Sequence, residues 1–262
     1  MFNVVESVFG AGIYSSLAPA MLDRLNVPYT EPRRRISPAT TDKPFGKNVL
    51  RVGGGGDAAL GRPVQTGMGS ILMRYIVKAA DEDSSVGIDD ASVVRGSEAK
   101  ARAEHCQKKF GGRWFAEAYV DGREFNIAVM ASDNGPFVFP LAEMRFNDEW
   151  PDGKPKLVSF AAKWEEDTFD YNGSQRRFGC EDEEPELARQ LIETTKKVWH
   201  LFSLRGYARV DFRVDKDNKP WVLEINPNCC ISTDAGFAAA AGQAGIPYDE
   251  LINRVALAAL HA

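Results

Sequence analysis

The sequence contains few cysteines and few histidines, and this limits the metal and disulfide chemistry open to it. Only four cysteines and three histidines occur in 262 residues. No two cysteines are spaced as CxxC, whereas a structural zinc site needs about four Cys or His ligands at defined spacing. We therefore expect neither a zinc site nor a disulfide framework. The four cysteines, which we expect to be free thiols, are Cys106, Cys180, Cys229 and Cys230.

The sequence also lacks long apolar segments and an excess of positive charge. No apolar run reaches the ~20 residues of a membrane-spanning helix, and the first residues lack the basic and apolar regions of a signal peptide. Lys and Arg total 32 against 37 Asp and Glu, so the formal net charge is −5. An acidic balance argues against a surface for nucleic acids. We expect a cytoplasmic protein that binds neither nucleic acid nor membrane.

Short strands mixed with separate helices along the chain predict an α+β fold. Asp121-Gly122 predicts a hairpin turn between two of the strands. Residues 31–69 are typical of a loop with one short helix near 47–51, and residues 146–183 of a long ordered loop or lid. A helix is predicted to open at Pro185. The predicted strands cover residues 71–78, 114–120, 124–130, 137–141, 207–214 and 221–226.

The most informative segment is GYARVDFRVDKDNKPWVLEINPN, at residues 206–228. Strand alternation places Arg209, Asp211 and Arg213 on one face of the first strand. Joining the strands by a loop at 216–219 sets Asp211 opposite Glu224 and Arg209 opposite Asn226. The same register sets residue 215 opposite residue 220. It also places residues 222, 224 and 226 on one face of the second strand, with 221, 223 and 225 on the other.

Two opposed carboxylates repel each other and weaken an ordinary hairpin, but a divalent cation would remove this repulsion. Oxygen ligands from Asp211, Glu224 and Asn226 suit Mg²⁺, which often binds through one or two carboxylates and substrate phosphates. Arg209 would then stabilise negative charge that develops beside the metal. The alternation alone is equally compatible with a solvent-facing strand whose charges are simply hydrated.

A second group of polar residues lies in WFAEAYVDGREFNIAVM, at residues 114–130. Glu117 ends an apolar strand, and Glu124 opens the next. A nucleotide site can use this layout, with backbone groups at 118–120 contacting the adenine edge and a carboxylate binding the ribose hydroxyls. A plain hairpin with exposed acids explains the pattern equally well.

A third group consists of lysines that lie near small-residue loops. Such lysines can hold phosphates together with hydroxyl and backbone donors, although a single lysine is more often a hydrated surface charge. The P-loop pattern GxxxxGK[ST] is absent, and the GxG at residues 10–12 lacks the third glycine of a dinucleotide fingerprint. The candidate phosphate ligands are Lys43, Lys78, Lys163, Ser84 and Ser85.

In this order, the segments resemble the ATP-grasp superfamily, and most closely the D-alanine–D-alanine ligases. The segments concerned are FNVVESVFGAGIYSSLAPAMLDRLNVPYT, VKAADEDSSVGI, EAYVDGREF, and ARVDF together with LEINPN. The resemblance implies an ATP-grasp fold, in which two α+β subdomains grip the nucleotide beside a remnant of an N-terminal α/β domain. It places the shortened remnant at residues 1–42, the central subdomain at 43–116 and the C-terminal subdomain with the metal site at 117–262.

The resemblance also implies an activity. ATP would phosphorylate a small-molecule carboxylate, and an amine from an amino acid or a dipeptide-like molecule would attack the acyl phosphate. The expected cofactors are ATP and two Mg²⁺ ions, which Mn²⁺ could replace, and a homodimer is compatible with the family. The loops at 81–87 and 146–178 would act as lids that exclude water from the acyl phosphate.

The roles implied for single residues follow the family's motifs. Lys43 and Lys78 would bind phosphates, and Lys163 would reach the terminal phosphate. The remaining assignments are Glu117, Tyr119 and Val120 for adenine, Glu124 for ribose, Asp211, Glu224 and Asn226 for the metals, and Arg209 for the acyl phosphate and the tetrahedral state.

Some segments depart from the family pattern. Residues 229–234 read CCISTD, where such ligases usually carry Pro-Gly and a serine for the substrate carboxylate. Trp164 follows the lysine where a tyrosine or phenylalanine is common, and residues 44–70 fit poorly. Two alternatives therefore stay open: an ATP-binding module that has lost ligase activity or needs a partner chain, and an enzyme that adds an amino acid to a larger acceptor.

Overall fold

The computed structural model describes residues 24, 42–53, 73–80 and 85–258. The expected N-terminal remnant at 1–42 lies almost wholly outside the described residues, as do Ser84 and the start of the strand predicted at 71–78. In the part of the chain that is described, no helix is long and apolar enough to cross a membrane.

The first strands in the described part of the chain form a small antiparallel sheet with the strand order β2-β1-β3. A helix precedes the sheet and begins at Lys43 rather than near residue 47 as predicted, because Asp42 Oδ1 caps it by accepting a hydrogen bond from the Phe45 N–H at 2.9 Å. The elements, in chain order, are α1 (Lys43–Gly53), β1 (Arg74–Ala79), a 3-10 turn (Asp90–Ser92), β2 (Val93–Arg95), α2 (Ala99–Phe110) and β3 (Trp114–Ala118).

A larger antiparallel sheet of six strands follows, with the order β7-β6-β4-β8-β9 and β5 paired with β4. Its strands are β4 (Arg123–Met130), β5 (Phe137–Val138), β6 (Ala142–Phe146), β7 (Ser174–Arg177), β8 (Tyr207–Val214) and β9 (Pro220–Asn226). The helices around it are α3 (Phe160–Trp164), α4 (Phe169–Gly173), α5 (Cys180–Glu183), α6 (Pro185–Leu201), α7 (Gly236–Gln243) and α8 (Tyr248–Ala258).

Helices cover one face of the large sheet and one end of the other face. Helix α6 opens with Pro185 as predicted, and its buried stripe, which includes Leu191, packs on the face that carries Phe125 and Phe212. Helices α7 and α8 cover the opposite face only at the end near Tyr207. The rest of that face is not covered by these two helices, and we call it the open face. It carries the polar side chains described below, of which Glu124, Asp211 and Arg213 are nevertheless buried.

The prediction of a hairpin turn at Asp121-Gly122 is wrong. Strand β3 pairs with β1 in the small sheet, whereas β4 pairs with β6 and β8 in the large one, so residues 119–122 connect the two sheets. Neither Asp121 nor Gly122 has the positive φ of a tight hairpin turn. Gly122 is needed for another reason, because a Cβ there would lie 2.0 Å from the carbonyl oxygen of Val214.

The predicted register between β8 and β9 is confirmed at the site but wrong near the turn. Asp211 pairs with Glu224 as predicted, but Phe212 pairs with Val222, so that Leu223 forms a β-bulge. Beyond the bulge the alternation is reversed, which turns Val222 into the apolar core and places Trp221 opposite Arg213.

The bulge also shifts the turn that joins the two strands. Val214, not Asp215, is the register partner of Pro220. Asp215 instead orders the turn, since its Oδ1 accepts hydrogen bonds from the Asp217 and Lys219 N–H groups at 3.0 Å each. Its Oδ2 accepts a hydrogen bond from Trp221 Nε1 at 2.8 Å, which fixes the indole beside the open face.

Two further expectations need correction. The strand predicted at 137–141 is only the two-residue β5, and residues 142–146 form the separate strand β6. The segment predicted as a loop at 146–183 contains α3, α4, β7 and α5. Ser159 caps α3 by accepting a hydrogen bond from the Ala162 N–H at 3.2 Å. Such a capping residue indicates the start of a helix, but it is difficult to identify in a segment of irregular composition.

Substituting Gly122 by alanine should destabilise the fold, because the added methyl group must displace the end of β8. We expect a loss of about 2 kcal/mol or more in the free energy of unfolding, measured by urea denaturation. The matched control is Gly242→Ala in α7, where a Cβ meets nothing within 4 Å and should be neutral or stabilising by up to about 1 kcal/mol. Equal stability of the two variants would contradict the role assigned to residue 122.

Candidate active site

A cavity with a volume of about 50 Å³ lies between the two sheets, at the connection from β3 to β4. The predicted nucleotide residues Glu117, Tyr119, Val120 and Glu124 all line it. Ile76 and Leu157 add apolar walls. The structure therefore brings this predicted group together around one space, although the hairpin that was expected to carry it does not exist.

Glu117 lines the cavity and is ion-paired with two lysines. Its Oε1 is 2.5 Å from Lys78 Nζ, its Oε2 is 3.1 Å from Lys47 Nζ, and all three side chains are buried. Burial opposes ionisation of Glu117, but the two positive charges outweigh it and lower the pKa of the carboxyl group. Burial also lowers the pKa of Lys47 to about 8. The triad thus carries one excess positive charge below that pH, directly beside the cavity.

Lys47 was missed by the sequence analysis. It lies on α1 one turn after Lys43, and residues at this spacing share a helix face. Its Nζ also donates a hydrogen bond to the Val222 carbonyl at 2.6 Å, while Lys43 Nζ lies 3.9 Å from Glu224 Oε1. Helix α1 therefore links the small sheet to β9 through two lysines. The i, i+4 spacing of the lysines is the feature of the sequence that could have identified Lys47.

Strand alternation predicts the correct face of the sheet for Arg213, but it indicates no role for this residue. Its Nη1 donates to Glu124 Oε2 at 3.2 Å and to the Lys156 carbonyl at 2.9 Å. Its Nε donates to the Val120 carbonyl at 3.1 Å, and its Nη2 to the Tyr119 hydroxyl at 3.4 Å. One buried guanidinium thus joins the connection between the sheets to the segment that precedes α3.

Arg213 also supplies the charge that Glu124 needs. Burial raises the pKa of Glu124, and the negative charge of Asp211 adds to this effect, while Arg213 and Lys163 oppose it. Without the guanidinium the carboxyl group would lose its buried counter-charge. Arg213 therefore favours the ionised form of Glu124, which is the form that accepts hydrogen bonds from hydroxyl groups.

The open face of the large sheet carries the predicted metal residues in the predicted pairs. Asp211 is opposite Glu224, and Arg209 is opposite Asn226. Arg209 binds Asp211 in a bidentate ion pair, with Nε–Oδ1 at 2.7 Å and Nη2–Oδ2 at 2.8 Å. Burial opposes the charge on Arg209, but Asp211 raises the pKa of the guanidinium above its usual value. Asn226 Oδ1 accepts a hydrogen bond from the Asn228 N–H at 3.0 Å.

This donor set fits a magnesium ion in its chemistry. Among the described residues no group of three or more His, Cys, Asp and Glu side chains could hold a metal, so a site made of protein ligands alone is not indicated there. Two facing carboxylates and a carboxamide are what Mg²⁺ uses when phosphates complete its coordination. Each oxygen of Asp211 carries a second lone pair beyond its bond to Arg209. Asp211, Glu224 and Asn226 are therefore able to share a cation.

Two segments predicted to be lids touch each other near the cavity. Ser85 Oγ donates a hydrogen bond to the Val158 carbonyl at 2.9 Å, and the Phe160 N–H donates to the Ile88 carbonyl at 3.4 Å. Lys163 lies on the helix α3 that follows, half-buried and close enough to Glu124 to influence its pKa. The loop that ends β1 and the segment before α3 are thus in contact in this structure.

All four cysteines are free, as predicted. Cys229 lies directly after the metal strand and is buried, and burial raises the pKa of its thiol to about 12. A thiol with that pKa stays protonated at neutral pH, so Cys229 is not an activated nucleophile. Cys230 is exposed, and its Sγ lies 3.1 Å from Ser232 Oγ.

Removing the negative charge of Glu117 should be strongly destabilising, because Lys47 and Lys78 would stay buried without a counter-charge. We expect Glu117→Gln to lower the free energy of unfolding by about 3–5 kcal/mol at pH 7. The control is Glu250→Gln, which removes an exposed ion pair with Arg254 on α8 and should cost less than about 1 kcal/mol. Similar denaturation midpoints for the two variants would contradict the proposed importance of the triad.

Comparison with known sequences assigns most of the chain to one family. A family model described as "D-ala D-ala ligase C-terminus" matches residues 65–256. An uncharacterized protein, y4sG, of Sinorhizobium fredii is 28% identical over 267 residues, which cover 97% of this chain and 73% of that protein. The D-alanine--D-alanine ligase of Halorhodospira halophila is 29% identical over 259 residues, with 96% and 77% covered.

Solved structures show the same fold. A D-alanine--D-alanine ligase from Bacillus anthracis complexed with ATP has a TM-score of 0.68 at 18% identity, and covers 93% of this chain and 74% of that one. The ligase from Coxiella burnetii has a TM-score of 0.68 at 18% identity, with 99% and 68% covered. The chain therefore has the ATP-grasp fold, and it belongs to the family of the D-ala D-ala ligase C-terminus.

Proposed function

We propose that the protein is an ATP- and Mg²⁺-dependent ligase that joins a carboxylate to an amine through an acyl phosphate. Membership of an ATP-dependent ligase family gives the general class. The observation that carries the finer proposal is the pairing of Asp211 with Glu224 and of Arg209 with Asn226 on one open sheet face. Because the cavity lies at the edge of the same sheet, a nucleotide there could extend its phosphates towards these four side chains.

The nucleotide would occupy the cavity between the sheets. Backbone groups at 118–120 would contact the adenine edge, and Glu124, held by Arg213, would accept hydrogen bonds from the ribose hydroxyls. The excess positive charge of the Glu117 triad would attract phosphate. Phosphate binding is assigned to Lys43, Lys78, Lys163, Ser84 and Ser85.

Asp211, Glu224 and Asn226 would hold the magnesium ions, two of which are expected, and Mn²⁺ could replace them. Bound metal would neutralise negative charge on the phosphoryl group during transfer. Arg209 points its guanidinium at the same region and would stabilise the charge that develops when the amine attacks. No protein nucleophile is required for this chemistry, which agrees with the protonated state of the nearby Cys229 thiol.

We also propose roles for the two lids and the two subdomains. The contact between Ser85 and Val158 would close the nucleotide site and keep water from the acyl phosphate. The subdomain boundary, expected between residues 116 and 117, would fall after β3, because β3 stays in the small sheet to Ala118. The connection at 119–122 would then allow the two subdomains to move against each other. The substrates would be a small carboxylate and an amine of the amino-acid type, like those in the names of the relatives.

A nucleotide-binding module without ligase activity is the second candidate. It is favoured by residues 229–234, which read CCISTD and lack the Pro-Gly that such ligases usually place beside the substrate. Such a module would be stabilised thermally by ATP and Mg²⁺ but would release no phosphate. The two candidates therefore differ in turnover and not in binding.

The test is release of phosphate from ATP and Mg²⁺ in the presence of a pool of free amino acids. The wild type should release phosphate, and Asp211→Asn should reduce kcat about 100-fold or more, because the metal site loses a charged ligand. Asp217→Asn is the matched control, since Asp217 is exposed in the turn after β8 and pairs only with its neighbour Lys216 among the described residues.

The outcomes separate the candidates. Equal rates for Asp211→Asn and the wild type would contradict the metal site. A folded wild type that is stabilised by ATP and Mg²⁺ but releases no phosphate with any amino acid would contradict ligase activity and support the binding module.

A further inference from the structure

Tyr207 begins β8 and projects from the same face of the large sheet as Arg209 and Asp211, because alternate residues of a strand share a face. Arg209 is opposite Asn226, the last residue of β9. Two residues further along each chain, the same register sets Tyr207 opposite Asn228. Tyr207 and Asn228 therefore form the next pair in the row after the proposed metal ligand.

The hydroxyl group of Tyr207 holds the side chain of Asn228. It donates a hydrogen bond to Asn228 Oδ1 at 3.1 Å. The phenol ring is itself fixed, because it is 1% exposed and packs edge-on against Phe237 of α7, with ring centroids 5.4 Å apart. Both rings belong to the apolar cluster that also contains Phe139 and Cys229. The hydroxyl group thus gives Asn228 an anchor in a packed part of the core.

Asn228 in turn orients the carboxamide of Asn226. The N–H of Asn228 donates a hydrogen bond to Asn226 Oδ1 at 3.0 Å. A carboxamide ends in an oxygen and an NH₂ group, and only the oxygen is a ligand for Mg²⁺. An N–H donor beside Oδ1 disfavours the flipped carboxamide, in which two donors would meet. The second lone pair of Oδ1 stays available to a cation.

The position of the Asn228 side chain depends on Tyr207. Its Nδ2 atom is buried and has no hydrogen-bond partner among the described residues. Within that part of the chain, the bond from the Tyr207 hydroxyl is therefore the one that holds the carboxamide of Asn228. Without it the carboxamide would gain free energy by turning towards water, since an unpaired buried polar group is costly. The N–H of the same residue would then lose its alignment with Asn226.

We infer that Tyr207 is a positioning residue for the proposed metal site, and that it acts through Asn228 to direct Asn226 Oδ1 at the cation. The inference rests on the proposed function. Residues that orient a metal ligand without touching the metal typically change metal affinity or activity about 10- to 100-fold when they are replaced. Asp211 and Glu224 supply the charge of the site, and Tyr207 fixes the direction of its neutral ligand.

The test measures metal binding directly. Mn²⁺ is titrated into equimolar protein and non-hydrolysable ATP analogue, and free Mn²⁺ is followed by its electron paramagnetic resonance signal, with the analogue alone as the reference. We expect Tyr207→Phe, which removes only the hydroxyl group, to weaken Mn²⁺ binding about 10-fold. Asn228→Ala keeps the backbone N–H but loses the anchor, so its effect should be similar. Both variants should also need about 10-fold more Mg²⁺ for half-maximal phosphate release.

Two comparisons separate positioning from a loss of stability. Thr195→Val is the matched control, because it also removes one buried hydroxyl donor, which binds the Leu191 carbonyl at 2.8 Å within α6. It should lower the melting temperature but leave Mn²⁺ affinity unchanged. In the double variant Tyr207→Phe/Asn228→Ala, the second substitution should weaken Mn²⁺ binding no further, because both substitutions break the same link.

Three results would overturn the inference while the metal site stands: wild-type affinity in Tyr207→Phe, an equal loss of Mn²⁺ affinity in Thr195→Val, or additive losses in the double variant. Mn²⁺ binding that Asp211→Asn leaves unchanged would overturn the metal site and the inference together. If Mn²⁺ binding follows the expected pattern but the wild type releases no phosphate, the proposed ligase function fails and the inference stands.

Discussion

The proposed chemistry depends on two like charges held opposite each other on neighbouring strands. Asp211 and Glu224 face one another across β8 and β9, which would weaken the hairpin if nothing compensated them. Arg209 neutralises Asp211 through two hydrogen bonds, and Lys43 lies 3.9 Å from Glu224. The protein's own cations therefore allow the fold to form around the carboxylates, which stay available to share a metal. The pairing of Asp211 with Glu224 therefore matters both for the stability of the hairpin and for the proposed chemistry.

The same balance of buried charge holds the two sheets together. Glu117 on β3, Lys78 on β1 and Lys47 on α1 form one buried ion triad, and Lys47 also binds the backbone of β9. Arg213 is another buried charge beside the cavity that links different elements. It joins Glu124 to the connection between the sheets. Each buried charge that borders the cavity is thus paired across a boundary between elements. A ligand that enters the cavity would meet fixed, preorganised charges rather than mobile ones.

Sequence alone could predict what depends on strand alternation near the site, including the pairs made by Asp211 and Arg209. It failed where tertiary contacts override local signals. Asp121-Gly122 is typical of a hairpin turn, but Gly122 is there because the chain passes close to the backbone of Val214. The bulge at Leu223 exchanges the faces of its neighbours, and no local pattern marks it. Lys47 acquires its role only when α1 is placed against β3, a packing that helical spacing could suggest but not establish.

The most direct test is to locate manganese in crystals of the protein grown with Mn²⁺ and a non-hydrolysable ATP analogue. Anomalous scattering identifies the metal independently of any activity. The account predicts manganese bound by Asp211 and Glu224, with the phosphates of the analogue completing its coordination and the base in the cavity beside Glu117. Manganese elsewhere, or a nucleotide in the cavity with no metal at these carboxylates, would contradict it.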